Sequence, residues 1–258
     1  MLQNAVKAKV LRGEPSIGAA IGLPSPELVE ICGLLGFEWI FIDAEHGPIG
    51  WAECQAMCRA CDAHDMSSIV RVPKLDHALI MTYLQTGPLG VAVPHINTAE
   101  QAEAVVRAAR YYPEGRRGCD SGARSSAYNL IESETDYFAR SNREMLVAVW
   151  VEGVEGIKNL DEILQVPGID AVNIASGDLA LSMGLPGRSD HPDVQAVVAE
   201  ARKKVLAAGK VVIGEPSDAA TAQQMIADGI LLISTEVQGM WVNTARAYLN
   251  ELQEGGSH

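Results

Sequence analysis

Eight short apolar runs, each followed by a helical pattern, constrain this 258-residue chain more than any other feature. The runs lie at 17–21, 39–42, 69–72, 90–93, 146–151, 171–174, 211–213 and 231–233. They are rich in β-branched residues and do not alternate with polar ones, as expected of parallel strands covered on both faces. Helical periodicity predicts helices at 26–35, 52–63, 77–86, 99–110, 154–163, 192–208, 218–228 and 237–252, the first opened by Ser25 as cap. This alternation predicts an α/β fold, a single (β/α)8 TIM-type barrel; an open doubly wound sheet is the other topology that uses it. The length agrees with the roughly 250 residues of one such barrel. The expected domain is therefore 1–254, with 255–258 a disordered or appended tail.

Two segments break the rhythm. Residues 112–129 are rich in Gly, Arg and Ser and read as a long loop, and 181–193 carries Gly184, Pro186, Gly187 and Pro192. Loops of this length in a compact barrel are usually functional.

Charge narrows the partners. With 33 acidic against 20 basic side chains the net charge is −13, and the basic groupings Arg116-Arg117 and Arg202-Lys203-Lys204 are short and isolated. A binder of nucleic acid or anionic membrane needs a basic stripe, so neither is expected. No run approaches the roughly 18 apolar residues of a membrane span, and residues 1–12 lack the apolar core of a secretory signal, so the expected location is cytoplasmic. Cys54, Cys58 and Cys61 match the C-x3-C-x2-C spacing of radical S-adenosylmethionine clusters. The same spacing is also one face of a helix, and no Gly or Pro interrupts it, so core packing is predicted and no iron–sulfur cluster. Nucleotide, serine-hydrolase and zinc-protease motifs are absent. Glu215 and Glu236, following the seventh and eighth runs, disfavour a phosphorylated substrate.

In a barrel, chemistry belongs at the C-terminal ends of the strands. The second run ends in Asp43-Ala44-Glu45-His46-Gly47-Pro48, the third in Arg71, the fifth in Glu152 and the sixth in Ser176-Gly177-Asp178. Glu152 and Asp178 are two carboxylates facing one mouth from neighbouring strands. A hard divalent cation, Mg2+ or Mn2+ ahead of Co2+ or Zn2+, resolves their repulsion; a helix cap at Asp178 or an Arg partner is the rival. His46 follows Asp43 by three residues, close enough for the carboxylate to orient the imidazole as a general base. Arg71 emerges from a buried run and must meet an anion of protein or ligand. His95, in Pro94-His95-Ile96-Asn97, reads as structural or as support for the site.

These residues stand in motifs that resemble the HpcH/HpaI aldolase family, class II metal-dependent pyruvate aldolases related to 4-hydroxy-2-oxoheptanedioate aldolase. The resemblance rests on 41–48, on Val70-Arg71-Val72-Pro73, on Val93-Pro94 with 98–102, on 112–118 and on Gly177-Asp178-Leu179 with Met183-Gly184. It implies cleavage of 4-hydroxy-2-oxo acids to pyruvate, or an analogue such as hydroxypyruvate, plus an aldehyde. It further implies metal ligands Glu152 and Asp178, acid–base chemistry at His46 and Asp43, and an enolate oxygen steadied by Arg71. The backbone amides of Gly177 and Asp178 would receive the carboxylate, with Ser176 beside them. A homo-oligomer is also implied, a hexamer built as a trimer of dimers with the last helix exchanged between subunits. Two carboxylates, a divalent metal, a substrate carboxylate and Arg71 then balance to zero charge. The chain departs from the family at Trp150-Val151-Glu152-Gly153, where a strand's two-residue period puts Trp150 on the side of Glu152, predicting a narrowed pocket. It departs again at Ala175-Ser176, which bears on the carboxylate geometry. The competing expectations are a 2-oxo acid (oxaloacetate-type) decarboxylase, a CoA-thioester lyase of the same superfamily, or a ligand-binding barrel without catalysis.

Overall fold

The computed structural model describes residues 3–120 and 122–255. Eight parallel strands follow one another around a closed barrel: β1 (Ser16–Ile21), β2 (Trp39–Asp43), β3 (Ser67–Arg71), β4 (Gly90–Val93), β5 (Leu146–Trp150), β6 (Ala171–Asn173), β7 (Val211–Gly214) and β8 (Leu232–Glu236). The pairing of β1 with β8, Ser16 opposite Leu232, closes the ring and excludes the open doubly wound sheet. The expected runs lie within three residues of these strands at every end.

The helices are α1 (Ala5–Leu11), α2 (Pro26–Leu35), α3 (Trp51–Ala63), α4 (His77–Gln85), α5 (Ala99–Ala109), α6 (Glu134–Glu144), α7 (Val154–Lys158), α8 (Leu160–Gln165), α9 (Ser176–Ser182), α10 (Pro192–Ala207), α11 (Ala219–Ala227) and α12 (Val237–Gly255). Ser25 caps α2 by accepting the Leu28 N–H. The helix expected over 154–163 is two short ones, broken at Asn159, whose side chain donates instead to the Asn97 carbonyl. The expected loop at 112–129 contains a 3-10 segment, Arg124–Asn129. Of the expected tail, 256–258 lie outside the described residues. No described helix is long and apolar enough to cross a membrane.

The strand period divides the core in two. One set of residues, including Ile40, Ile42, Val70, Val91 and Val149, faces the helices, and Cys54, Cys58 and Cys61 of α3 are buried within that layer as free thiols. The alternate set, Trp39, Phe41, Ile69, Ala148, Trp150 and Ile213 among it, fills the barrel interior. Helix α1, which the apolar runs did not reveal, adds Val6 and Val10 to that interior and stoppers its N-terminal end. Asn4 fixes the stopper: its Oδ1 caps α1 through the Lys7 N–H, and its amide donates to the carbonyls of Leu89 and Glu144.

Gly18 shows how closely the interior is filled. A Cβ there would lie 2.2 Å from the Trp39 indole, so the fully buried ring needs the glycine. Gly18→Ala is therefore expected to destabilise the fold by about 1–3 kcal/mol through overpacking. Thermal unfolding checks this, and an unchanged midpoint would show that the indole moves aside freely.

Candidate active site

The inward period continues past the apolar layer and becomes charged at the C-terminal mouth. Phe41 is followed two residues on by Asp43, Ile69 by Arg71, Trp150 by Glu152 and Ile213 by Glu215. Strand register then sets Asp43 beside Arg71. Arg71 Nε donates to Asp43 Oδ1 at 3.0 Å and Nη2 to Oδ2 at 2.7 Å, a two-point clamp. Arg71 Nε also lies 3.2 Å from Glu45 Oε2. Beneath the guanidinium lie Phe41 and Trp150, stacked on each other, with ring centroids 5.5 and 5.7 Å from its central carbon. Burial alone would raise the Asp43 carboxyl; the hydrogen bonds and charge of Arg71 outweigh it and hold the group below its usual range.

The expected Asp43–His46 dyad takes another form. Asp43 Oδ1 accepts the backbone N–H groups of Glu45 and His46, because a spacing of two to three residues after a strand closes an Asx-type turn. Arg71 takes the rest of the carboxylate. The His46 ring is 65% exposed, and its Nε2 stands 3.7 Å from Glu45 Oε2, so Glu45 faces the imidazole.

His95 is more central than its sequence context suggested. It adopts a left-handed backbone, φ 57°, and its N–H donates to Glu152 Oε1 at 2.7 Å. Its ring spans two acids, Nδ1 at 2.9 Å from Glu152 Oε1 and Nε2 at 3.4 Å from Glu45 Oε1. Glu152 is 4% exposed. Burial pushes its carboxyl up, the charges of Asp178 and Glu45 add to the effect, and His95 opposes it. Asp178 lies in the first turn of α9, and that helix has Ala175 as N-cap with no side-chain capping bond, so Asp178 is not the cap. Gly177 is exposed beside it, with open space where a Cβ would stand.

A cavity of about 630 Å³ opens at the mouth, lined by Asp43, His46, Arg71, Glu215 and Glu236 among others. Arg71 joins it to the Glu152 cluster through Glu45. Glu215 opens to the cavity yet is ringed by protein, and that burial pushes its carboxyl up against the opposing pull of Asn173, Arg71 and Arg202. Trp150 does not line this cavity; it is buried as the floor under Arg71, so its bulk acts on the guanidinium rather than narrowing the pocket directly.

Residue spacing did not single out Glu45 and gave His95 and Glu215 lesser roles. For Glu215 the signal was present, two residues beyond the inward Ile213. The zero charge balance drawn from sequence omits Asp43, Glu45 and Glu215, whose charges also act on Arg71. No group of three or more His, Cys, Asp or Glu in metal-binding arrangement occurs among the described residues. The donor chemistry nevertheless fits a hard cation: Glu152 and Asp178 offer only oxygens, their ionised forms repel, and the buried Glu45 Oε2 lacks a hydrogen-bond partner.

The sequence profile of the HpcH/HpaI aldolase/citrate lyase family matches residues 20–244. The chain belongs to that family. Among its relatives, the hydroxypyruvate/pyruvate aldolase of Deinococcus radiodurans is 38% identical over 237 residues, 92% of this chain and 84% of the relative. The 4-hydroxy-2-oxo-heptane-1,7-dioate aldolase of Shigella sonnei is 37% identical over 210 residues, 81% and 79% of the two chains. The crystal structure of an HpcH/HpaI aldolase/citrate lyase family protein from Burkholderia cenocepacia superposes with a TM-score of 0.91 at 28% identity, covering 97% of this chain and all of the other. This HpcH/HpaI protein is an enzyme of the aldolase type, a lyase. Its charged residues stand at the strand exits, where barrel enzymes place their chemistry.

Proposed function

We propose that the protein is a class II, divalent-metal-dependent aldolase that cleaves 4-hydroxy-2-oxo acids to pyruvate, or hydroxypyruvate, plus an aldehyde, and catalyses the reverse addition. The observation that carries this reading is the buried Glu152 paired with Asp178 beside the clamped Arg71. The names of the relatives support the substrate class. Glu152 and Asp178 would hold Mg2+ or Mn2+, which when bound supplies Lewis-acid polarisation of the 2-oxo group. Arg71 presents guanidinium donors to the oxygen on which enolate charge develops, and Asp43 fixes their direction. His46, on the cavity wall with Glu45 Oε2 3.7 Å from its Nε2, takes the proton of the C4 hydroxyl as the C3–C4 bond breaks. The amides of Gly177 and Asp178, beside Ser176, receive the substrate carboxylate.

A pyruvate-release assay over a panel of 4-hydroxy-2-oxo acids tests the reading. Chelator should abolish release, and Mg2+ or Mn2+ should restore it, with Co2+ and Zn2+ for comparison. His46→Ala should slow cleavage by about 10²–10⁴-fold while sparing oxaloacetate decarboxylation, which needs no base. No metal-dependent release from any substrate would overturn the aldolase reading, and decarboxylation alone would favour a decarboxylase.

The assembly proposed is a cytoplasmic homo-hexamer, a trimer of dimers exchanging α12. Its support is the exposed apolar surface of α12, with Trp241 73% exposed together with Met240, Tyr248 and Leu252, and of α2 at Leu34 and Leu35. Light scattering should give six times the 27.5 kDa chain mass; a monomeric mass would refute it.

A further inference from the structure

A second cavity, of about 380 Å³, lies at the opposite end of the barrel. Leu89 and Met145, which precede β4 and β5, form part of its wall, so it belongs to the N-terminal face and not to the mouth. The segment 124–131 closes it from outside. Within that segment Ala127, Tyr128 and Asn129 all hold φ between 51° and 57°, a run of left-handed residues that persists only where surrounding contacts impose it. Gly87 has φ 106°, and any side chain there would overlap the Arg124 guanidinium.

Three guanidinium groups line this cavity, and two are matched within the protein: Arg124 by Asp62 and Arg140 by Glu132. The one acid on the wall besides Asp62, Glu144, is held by Arg143 and by the Asn4 N–H. Arg117 differs. It is 5% exposed, donates through Nη2 to the Leu84 carbonyl and Ser125 Oγ, and lies over the Tyr111 ring. Its buried Nε has no hydrogen-bond partner, and no carboxylate among the described residues lies within ion-pair distance. A buried guanidinium without a counter-charge is costly unless an anion joins it. The rest of the wall is largely apolar, with Leu89, Leu130, Ile131 and Met145.

We propose that this cavity binds a small organic monocarboxylate, its charge met by Arg117 and its apolar body by Leu89, Ile131 and Met145. One unmatched positive charge selects a monoanion over a dianion such as phosphate, and the apolar wall selects a carbon skeleton over an inorganic ion. The N-terminal face of a barrel bears on stability rather than chemistry, so the test reads binding and thermal midpoint, independently of turnover.

The experiment titrates the full-length protein with benzoate, phenylacetate and hexanoate, and with inorganic phosphate, by calorimetry and thermal shift. Chelator is present throughout so that a metal-held carboxylate at the mouth does not contribute. Saturable binding of at least one organic acid, tighter than phosphate and accompanied by a raised midpoint, is the expected result. Arg117→Gln should weaken it by about tenfold or more. Ser125→Glu, which sets an internal carboxylate beside the guanidinium, should do the same and serves if Arg117→Gln does not fold. Glu152→Gln should leave binding unchanged. The proposal is overturned if none of the three acids binds saturably, if phosphate binds tighter, if binding survives Ser125→Glu, or if it is lost in Glu152→Gln.

Discussion

Glu152→Gln is expected to reduce metal-supported turnover by about 10³-fold or more while leaving the barrel folded. The isosteric amide keeps the volume of a side chain that is buried and an oxygen for the His95 N–H. It removes a negative charge that burial and the charges of Asp178 and Glu45 disfavour. Without metal, the variant should unfold at the same temperature as the parent or higher, because a buried charge that Asp178 and Glu45 repel is gone. Loss of a cation's transition-state stabilisation, several kcal/mol, corresponds to the fall in rate at about 1.4 kcal/mol per tenfold. The paired measurement is the thermal midpoint with and without Mg2+: a rise in the parent and none in the variant. Parent-like turnover in Glu152→Gln would remove Glu152 from the site.

The second large effect belongs to Arg71. Arg71→Lys retains the positive charge but cannot make the two-point contact with Asp43. Its kcat should fall about 10²–10³-fold, as for loss of one aligned donor to a developing oxyanion. Arg71→Ala should add a folding defect of about 3–5 kcal/mol, since it strands Asp43 and Glu45 as buried charges. Comparable kcat in the Arg and Lys forms would show that charge alone suffices. The same pair gives a pH dependence with a definite sign. The folded Asp43 carboxyl is held below its ordinary value of 3.8, so its stabilisation is complete above that value and disappears as pH falls through the folded value. The stability gap between the parent and Asp43→Asn should therefore close only below about pH 4. A gap that closes near neutrality would point to a different group.

Much of the architecture could be read from the chain because parallel strands covered on both faces leave uninterrupted Val and Ile runs, and Ser25-Pro26 announces a helix start without ambiguity. Helix α1 escaped because seven residues carry too few turns to display a period, and its two buried valines become meaningful only against the barrel floor. The site was legible where a residue's position along its own strand decides its direction, as for Arg71 and Glu152. It was misread where a contact depends on a turn or on ring closure. Asp43 and His46 are three apart, but the turn brings a backbone N–H, not a ring, to the carboxylate. Glu45 meets His95 only because β2 and β4 flank β3 in a curved sheet, a proximity that fifty residues of intervening chain conceal.

The aromatic layer under Arg71 has an electrical consequence. Trp39, Phe41 and Trp150 fill the interior below the guanidinium, and α1 stoppers the far end, so water can approach the charged groups only from the mouth. A medium of fixed rings has little capacity to reorient when charge moves. The field that Arg71 projects toward the mouth is therefore attenuated only from the solvent side, and the guanidinium, clamped before any ligand arrives, spends little reorganisation energy in meeting a nascent oxyanion. The layer that makes the barrel stable thus also serves as the insulator against which Arg71 works.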